Sequence, residues 1–340
     1  MVYTLFTSLA QSPLPISSNS PTLISSKTFL KRTHTLFLSA RTNHLSRLTT
    51  TTRPPRHVCF SSSPGSPKPD FQDKENEGGL QILKRWDVPW EWQTVSLTSL
   101  ACGLSFVLTG LVEAAVVPYV GLNIQDLSLD EKAEFLLAAQ GLTTAAILGV
   151  LYTVASTFQP LPQDIYRYDW REPFSLKRGW LLWAGVGLVG AVAAVALTGA
   201  ATSFFSGETP QREKDALVSL LPLIGSSSIS TACLLGITGI LAPILEETVF
   251  RGFFMVSMTK WVPTPVAVII SAAVFALAHL TPGEFPQLFV LGAAMGLAYA
   301  QTRNLLTPIT IHAFWNSGVI LLLTFLQLQG YDIKELLQAT

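Results

Sequence analysis

With 340 residues, 49% of them hydrophobic and only 13% charged, and a mean hydropathy of +0.41, the chain is far less charged than the roughly 25% of an ordinary soluble domain. That composition excludes a soluble globular protein and reads as a membrane protein. The formal net charge of zero averages two unlike parts, because no acidic residue precedes Asp70 and from there on 22 Asp and Glu face 14 Lys and Arg, a net charge of −8 that argues against a nucleic-acid partner.

In chain order, the first element is residues 1–60, basic through Lys27, Lys31, Arg32, Arg41, Arg47, Arg53 and Arg56. Ser and Thr fill 24 of the first 69 positions. An acid-free, hydroxyl-rich, basic start is the composition of an organelle transit peptide, and its uncharged first 26 residues favour a chloroplast over a mitochondrion. A disordered tail would have the same composition. Residues 61–93 form a polar Pro/Gly linker, "SSSPGSPKPDFQDKENEGG", followed by an interfacial stretch with Trp86, Trp90 and Trp92, since Trp gathers at headgroup boundaries.

Apolar runs at 94–118, 135–157, 179–205 and 229–258 follow, each long enough for the roughly 20 residues of a membrane-crossing helix. Further runs occupy 264–280, 286–301 and 306–328. The predicted fold is all-α, a polytopic membrane helix bundle of six to eight transmembrane helices. Its N-terminal helices lie in 94–228 and a second group in 229–328, with a tail at 329–340. The 158–178 connection carries Arg167, Arg171, Lys177 and Arg178, whereas 121–134 is mostly acidic, which places the former on the stromal side.

Three further features have ordinary readings. "GVGLVG" (Gly185, Gly187, Gly190) matches a dinucleotide fingerprint by letters, but it sits in an apolar run with no preceding strand, so close helix packing is expected. Glu113 is expected near a helix end, reaching the interface or a neighbouring helix. Cys59, Cys102 and Cys233 make neither a disulfide framework nor a Cys-based metal site.

Chemistry concentrates in 230–320. "EETVFR" puts Glu247 and Arg251 four apart on one helix face, with Glu246 turned away by about 100° and free to face a cavity. "FALAH" brings Phe275 onto the face of His279, and "HAFWN" does the same for His312 and Asn316. Each has a bland alternative: a Glu–Arg pair that only joins helices, an interfacial His279, a core Phe275, and an interhelical hydrogen-bond pair for His312 and Asn316. Clustering weighs against them, because the two histidines beyond residue 57 both fall in this segment. An acid, two imidazoles and an amide can hydrolyse an amide bond without a Ser or Cys nucleophile. The same Glu and His residues could instead ligate zinc, although the chain has no HExxH and the donors are split among three helices. Spacing alone does not choose between the two.

EExxxR (Glu246, Glu247, Arg251), FxxxH (Phe275, His279) and HxxxN (His312, Asn316), in that order on successive apolar segments, resemble the three motifs of the CPBP family. That family includes type II CAAX prenyl endopeptidases, bacteriocin-processing and immunity proteins and Abi-type membrane proteins. The resemblance covers about 229–328. It implies an intramembrane polar cavity, Glu246 as the water-activating acid with His279 beside it, His312 and Asn316 as the oxyanion hole, and Glu247 and Arg251 in support. Members were long labelled metalloproteases, yet the type II CAAX pattern implies a metal-independent glutamate mechanism, so no cofactor is expected, with zinc as the alternative. One conflict concerns depth: simple alternation puts His279 late in its helix and His312 early in the second helix after it, which requires either shifted helix boundaries or a tilted or partly re-entrant helix.

The function expected is an intramembrane endopeptidase of a chloroplast membrane, thylakoid or inner envelope, acting on a membrane protein or peptide substrate in the lipid bilayer. A plastid presequence argues against prenylated CAAX substrates. The rival from another class is a non-catalytic membrane scaffold that stabilises chloroplast enzymes. A transporter is a weaker reading, as no internal repeat or paired broken helices are seen.

Overall fold

The computed structural model describes residues 81–331 apart from 120, 122, 125 and 207–221. The expected transit peptide, the linker up to residue 80 and the tail from 332 lie outside the described residues. Each apolar run of the sequence forms one helix: α1 (Trp92–Tyr119), α2 (Leu129–Ser156), α3 (Trp180–Ser206), α4 (Ser228–Met258), α5 (Thr264–Ala278), α6 (Phe285–Thr302) and α7 (Leu306–Leu328). No strand occurs among the described residues. Five helices, α1 to α4 and α7, are long and apolar enough to cross a membrane. α5 has 15 residues, which reach about 22 Å against a hydrocarbon core of about 30 Å.

The helices start where side chains satisfy their first N–H groups. Ser128 and Glu131 close a capping box at the head of α2, and Ser227 caps α4. Asp130 accepts from the hydroxyls of both Ser227 and Ser230, the latter at 2.8 Å, which holds the two helix heads together. α1 packs on α2, α2 on α4, α7 on α3 and α4, and α6 between α3 and α5. Large apolar side chains such as Leu97, Leu108, Val189, Leu197 and Leu322 are exposed on the outside, the arrangement expected where lipid is the solvent. The close packing expected of "GVGLVG" is real at Gly187 alone, where a Cβ would come within 2.5 Å of Ile311 Cδ1, whereas Gly185 and Gly190 face open space. Glu113 is buried beside Thr143 of α2.

α4 is irregular at two places. Wide, i→i+5 turns occupy Gly236–Leu241 and Thr248–Met255, on either side of a regular stretch at Ala242–Glu247. Pro243 accounts for the first, because it lacks an N–H and its ring crowds the carbonyl of Gly239, so the ladder widens ahead of it.

The segment before α1 corrects an expectation. Trp86 and Trp90 are not exposed to lipid headgroups; both are buried in the protein, and of the trio Trp92 alone is exposed. The reason is that each indole N–H finds a partner inside the protein, Trp86 on the Asp164 carbonyl at 3.1 Å and Trp90 on Ser257 Oγ at 2.7 Å. Residues 81–91 are therefore a strap laid across the ends of α4 to α6. Its lock is Arg303, the residue that ends α6 in the left-handed conformation (φ 52°), a place where glycine is usual. Arg303 pairs with Asp164, donates to the carbonyls of Lys84 and Arg85 at 2.6 and 3.1 Å, and lies 4.1 Å over the Trp86 ring. Burial pushes its guanidinium pKa down, opposed by the Asp164 hydrogen bond. Trp86 in turn stacks on Tyr299 of α6.

Arg303→Ala would strand Asp164 and two strap carbonyls. The expected loss is about 3 kcal/mol, the low end for a broken buried pair because Asp164 keeps some contact with water. Arg303→Lys should recover little, since an ammonium cannot reproduce the fork. Thermal unfolding in detergent, followed by tryptophan fluorescence, checks both; wild-type stability in the Lys variant would refute the clamp.

Candidate active site

The candidate residues converge from α4, α5 and α7. Glu247 and Arg251 are completely buried, and Arg251 Nη1 donates to Glu247 Oε1 at 2.8 Å. The same oxygen faces His312 Nδ1 of α7, also at 2.8 Å. Arg251 Nη2 donates to the carbonyl of Gly292 on α6 at 3.0 Å. Position 292 has no side chain, which lets α6 lie close against α5: a Cβ there would come within 3.2 Å of Ala272 Cα.

Glu246, one position away, turns to the other side as the 100° step requires. Its Oε2 lies 3.8 Å from His279 Nε2, and both side chains remain partly accessible, at 26% and 29%. His279 is the residue that caps α5, and its Nδ1 is 2.8 Å from the carbonyl of Phe275. A carbonyl only accepts, so Nδ1 carries the proton, and in the neutral ring Nε2 is left as an acceptor facing Glu246.

Phe275 is the hub. Fully buried, its ring is 4.6 Å from that of His279, 5.8 Å from that of His312 and 5.4 Å from that of Phe250, and Arg251 Cζ lies 4.4 Å from its centroid. His279 and His312 nonetheless meet around one ring, that of Phe275, at the end of a helix of 15 residues, shorter than a full span.

Asn316 donates Nδ2 to the carbonyl of Thr238 at 2.9 Å. Thr238 lies in the first wide turn of α4, and the second wide turn offers the Phe250 carbonyl to Ser271 of α5 at 3.0 Å. Widening thus releases carbonyls that α7 and α5 take up. Glu246, His279, His312 and Asn316 all line one cavity of about 1010 Å³, whose remaining wall is mostly apolar and drawn from all of α1 to α7. All six candidate residues therefore gather in one region, four on the cavity wall and the pair Glu247–Arg251 directly behind it.

Sequence reasoning missed the carbonyls of Thr238 and Gly292, the Phe250 ring, and Glu284 and Gln287, which also line the cavity. Pro243 hinted at the first wide turn. Nothing signalled Gly292. Among the described residues, no group of three or more His, Cys, Asp or Glu side chains is placed to hold a metal ion.

Comparison with known proteins adds an independent line. Residues 228–318 match the family described as type II CAAX prenyl endopeptidase, Rce1-like. The chain is 35% identical over 88 residues to the membrane-embedded CAAX protease MroQ of Staphylococcus aureus (strain USA300), a match covering 24% of this chain and 36% of that protein. It is 23% identical over 190 residues to YdiL of Bacillus subtilis (strain 168), named as a membrane peptidase, which covers 56% of this chain and 74% of YdiL. The chain thus spans about a third of MroQ's length and about three quarters of YdiL's. No solved structure matches. The stretch that matches this family, residues 228–318, runs from α4 to the middle of α7 and includes all six candidate residues.

Proposed function

We propose that the protein is an intramembrane endopeptidase that cleaves membrane-associated protein or peptide substrates with a water activated by Glu246. The observation that carries this reading is the pairing of Glu246 with His279 on the cavity wall while Glu247 is held behind it by Arg251 and His312. A water donating one O–H to Glu246 Oε2 and the other to His279 Nε2 has its lone pairs left for a substrate carbonyl. Attack forms the C–O bond as Glu246 takes the proton. The oxyanion is met by the second N–H of Asn316 and, as an imidazolium, by His312 Nε2–H, its Nδ1–H being given to Glu247. Each such donor commonly contributes ~2.7–4 kcal/mol. Collapse breaks the C–N bond, and the proton held by Glu246 passes to the departing amine.

In this reading every site residue has a role that needs no metal. We further propose, from the acid-free, hydroxyl-rich start alone, that the protein is a multi-pass protein of a chloroplast membrane, residues 1–60 being its transit peptide. Prenylated CAAX chains would then not be its substrates.

Glu246→Gln keeps size and removes the base, so peptidase activity should fall by about 10²–10⁴ with the melting temperature unchanged. Arg251→Ala should instead reduce protein abundance, since it strands the buried Glu247 at about 3–5 kcal/mol. Full complementation of a null line by Glu246→Gln would favour the scaffold reading.

Purified protein stripped of adventitious metal should contain far less than one zinc per chain and keep its activity in chelator. Stoichiometric zinc, lost together with activity and restored by adding it back, would make Glu246, His279 and His312 ligands and Glu247 the base. A fluorescent reporter fused after residue 60 should enter chloroplasts; reporter confined to mitochondria or the endoplasmic reticulum would overturn the plastid assignment.

A further inference from the structure

The connection between α2 and α3 reaches the back of the site. Its residues 167–169 lie along the turn between α6 and α7: the Leu305 N–H donates to the Arg167 carbonyl at 2.9 Å, the Asp169 N–H to Asn304 Oδ1 at 3.2 Å, and Asn304 Nδ2 to the Asp169 carbonyl at 2.6 Å. From that anchorage two tyrosines meet the second wide turn of α4. Tyr166, in the left-handed conformation (φ 52°), sets its ring against Gly252, where a Cβ would come within 3.1 Å of the ring carbons. A tyrosine keeps such a backbone only where its surroundings enforce it. The Tyr168 hydroxyl lies 2.9 Å from Oγ1 of Thr248. Thr248 Oγ1 is also 2.6 Å from the Ile244 carbonyl, and a carbonyl only accepts, so the single threonine proton goes there and Tyr168 is the donor to Thr248. Burial pushes the phenol pKa up, against the pull of that bond, which keeps the proton on the oxygen.

Thr248 marks the place where α4 changes from the regular stretch Ala242–Glu247 to wide turns. Its N–H and its hydroxyl both close on the Ile244 carbonyl, so the last regular turn is fastened at the residue after the two glutamates. A wide turn advances less per residue than a regular one, so the point where the change begins sets the angle between Glu247, before it, and Arg251, after it. We infer that Tyr168 is a positioning residue: through Thr248 it fixes where α4 begins to widen, and with it the direction in which Glu246 faces the water that it activates. The inference rests on the hydrolytic reading above and adds to it a residue beyond the six, on a segment outside the matched stretch 228–318. Tyr168 is not among the residues that line the cavity. It acts on the site from behind, out of a connection between helices.

The test uses the full chain in nanodiscs, with isotopically labelled histidine read by NMR and the ring signals of His279 and His312 assigned by substituting each in turn. Tyr168→Phe removes one hydroxyl. It should lower kcat about tenfold, the rate equivalent of one hydrogen bond, with KM and melting temperature unchanged. It should also shift the ring nitrogens of His279 and His312, which face Glu246 and Glu247. Thr248→Val breaks the same bond from the other side, should do the same, and carries the test if Tyr168→Phe does not fold; Thr248→Ser, which keeps the hydroxyl, should behave as wild type. The double variant should be no slower than Thr248→Val alone, since Tyr168 acts through Thr248. Unchanged kcat with unmoved ring signals, an effect confined to KM or to melting temperature, or a double variant slowed by the product of the two single losses would overturn the inference. The ring signals need no turnover. A wild type that never cuts a peptide, with signals that move in Tyr168→Phe, upholds the positioning and counts against hydrolysis instead.

Discussion

One oxygen atom, Oε1 of Glu247, accepts from Arg251 and faces His312, at 2.8 Å each, in the interior of an apolar helix bundle. A lone charge at such a depth costs about 2.5–3.5 kcal/mol even on the lenient insertion scale, so none of the three groups is tolerable without the others. Meeting that requirement ties four helices at one point: α4 supplies the acid and guanidinium, α7 the imidazole, α6 the Gly292 carbonyl and α5 the Phe275 face under Arg251. The cost of burying charge is thereby turned into positional precision. Glu246, next in the chain, inherits a fixed backbone and can face the cavity without being part of the network.

The irregularity of α4 serves the same end. A regular helix spends every interior carbonyl on its own ladder, whereas the wide turns around Thr238 and Phe250 leave carbonyls for Asn316 and Ser271. Neighbouring helices are thus joined by polar contacts to backbone, which matters where lipid provides little hydrophobic drive for association. The regular stretch between the wide turns holds the two glutamates.

Most of the fold was legible in the sequence because bilayer-length apolar runs are an unusually strong signal: every run became a helix. The site was legible because its pairs are local, with Glu247–Arg251, Phe275–His279 and His312–Asn316 each four apart. What escaped has long-range partners. Trp86 and Trp90 look like interfacial anchors until Asp164 and Ser257 are seen to satisfy them. Arg303 looks like one more cation at a helix end until the strap carbonyls, more than two hundred residues away in sequence, come into view. The Thr238 and Gly292 contributions come from backbone, on which side-chain patterns are silent. The meeting of His279 with His312 around Phe275 is likewise a contact between helices, which the spacing within each does not show.

The strap also imposes an order of assembly. Its hydrogen bonds reach from Lys84 to Thr264 and Arg303, separations of 180 and 219 residues, so the first described segment of the chain cannot settle until nearly the last helices have been made and placed. Until then Trp86 and Trp90 have no pocket, and the Lys84 and Arg85 carbonyls have no guanidinium to accept from. A chain that inserts helix by helix from its N-terminus must therefore hold this stretch open through α1 to α6 and close it afterwards, which makes the strap the latch that is set once the bundle is complete.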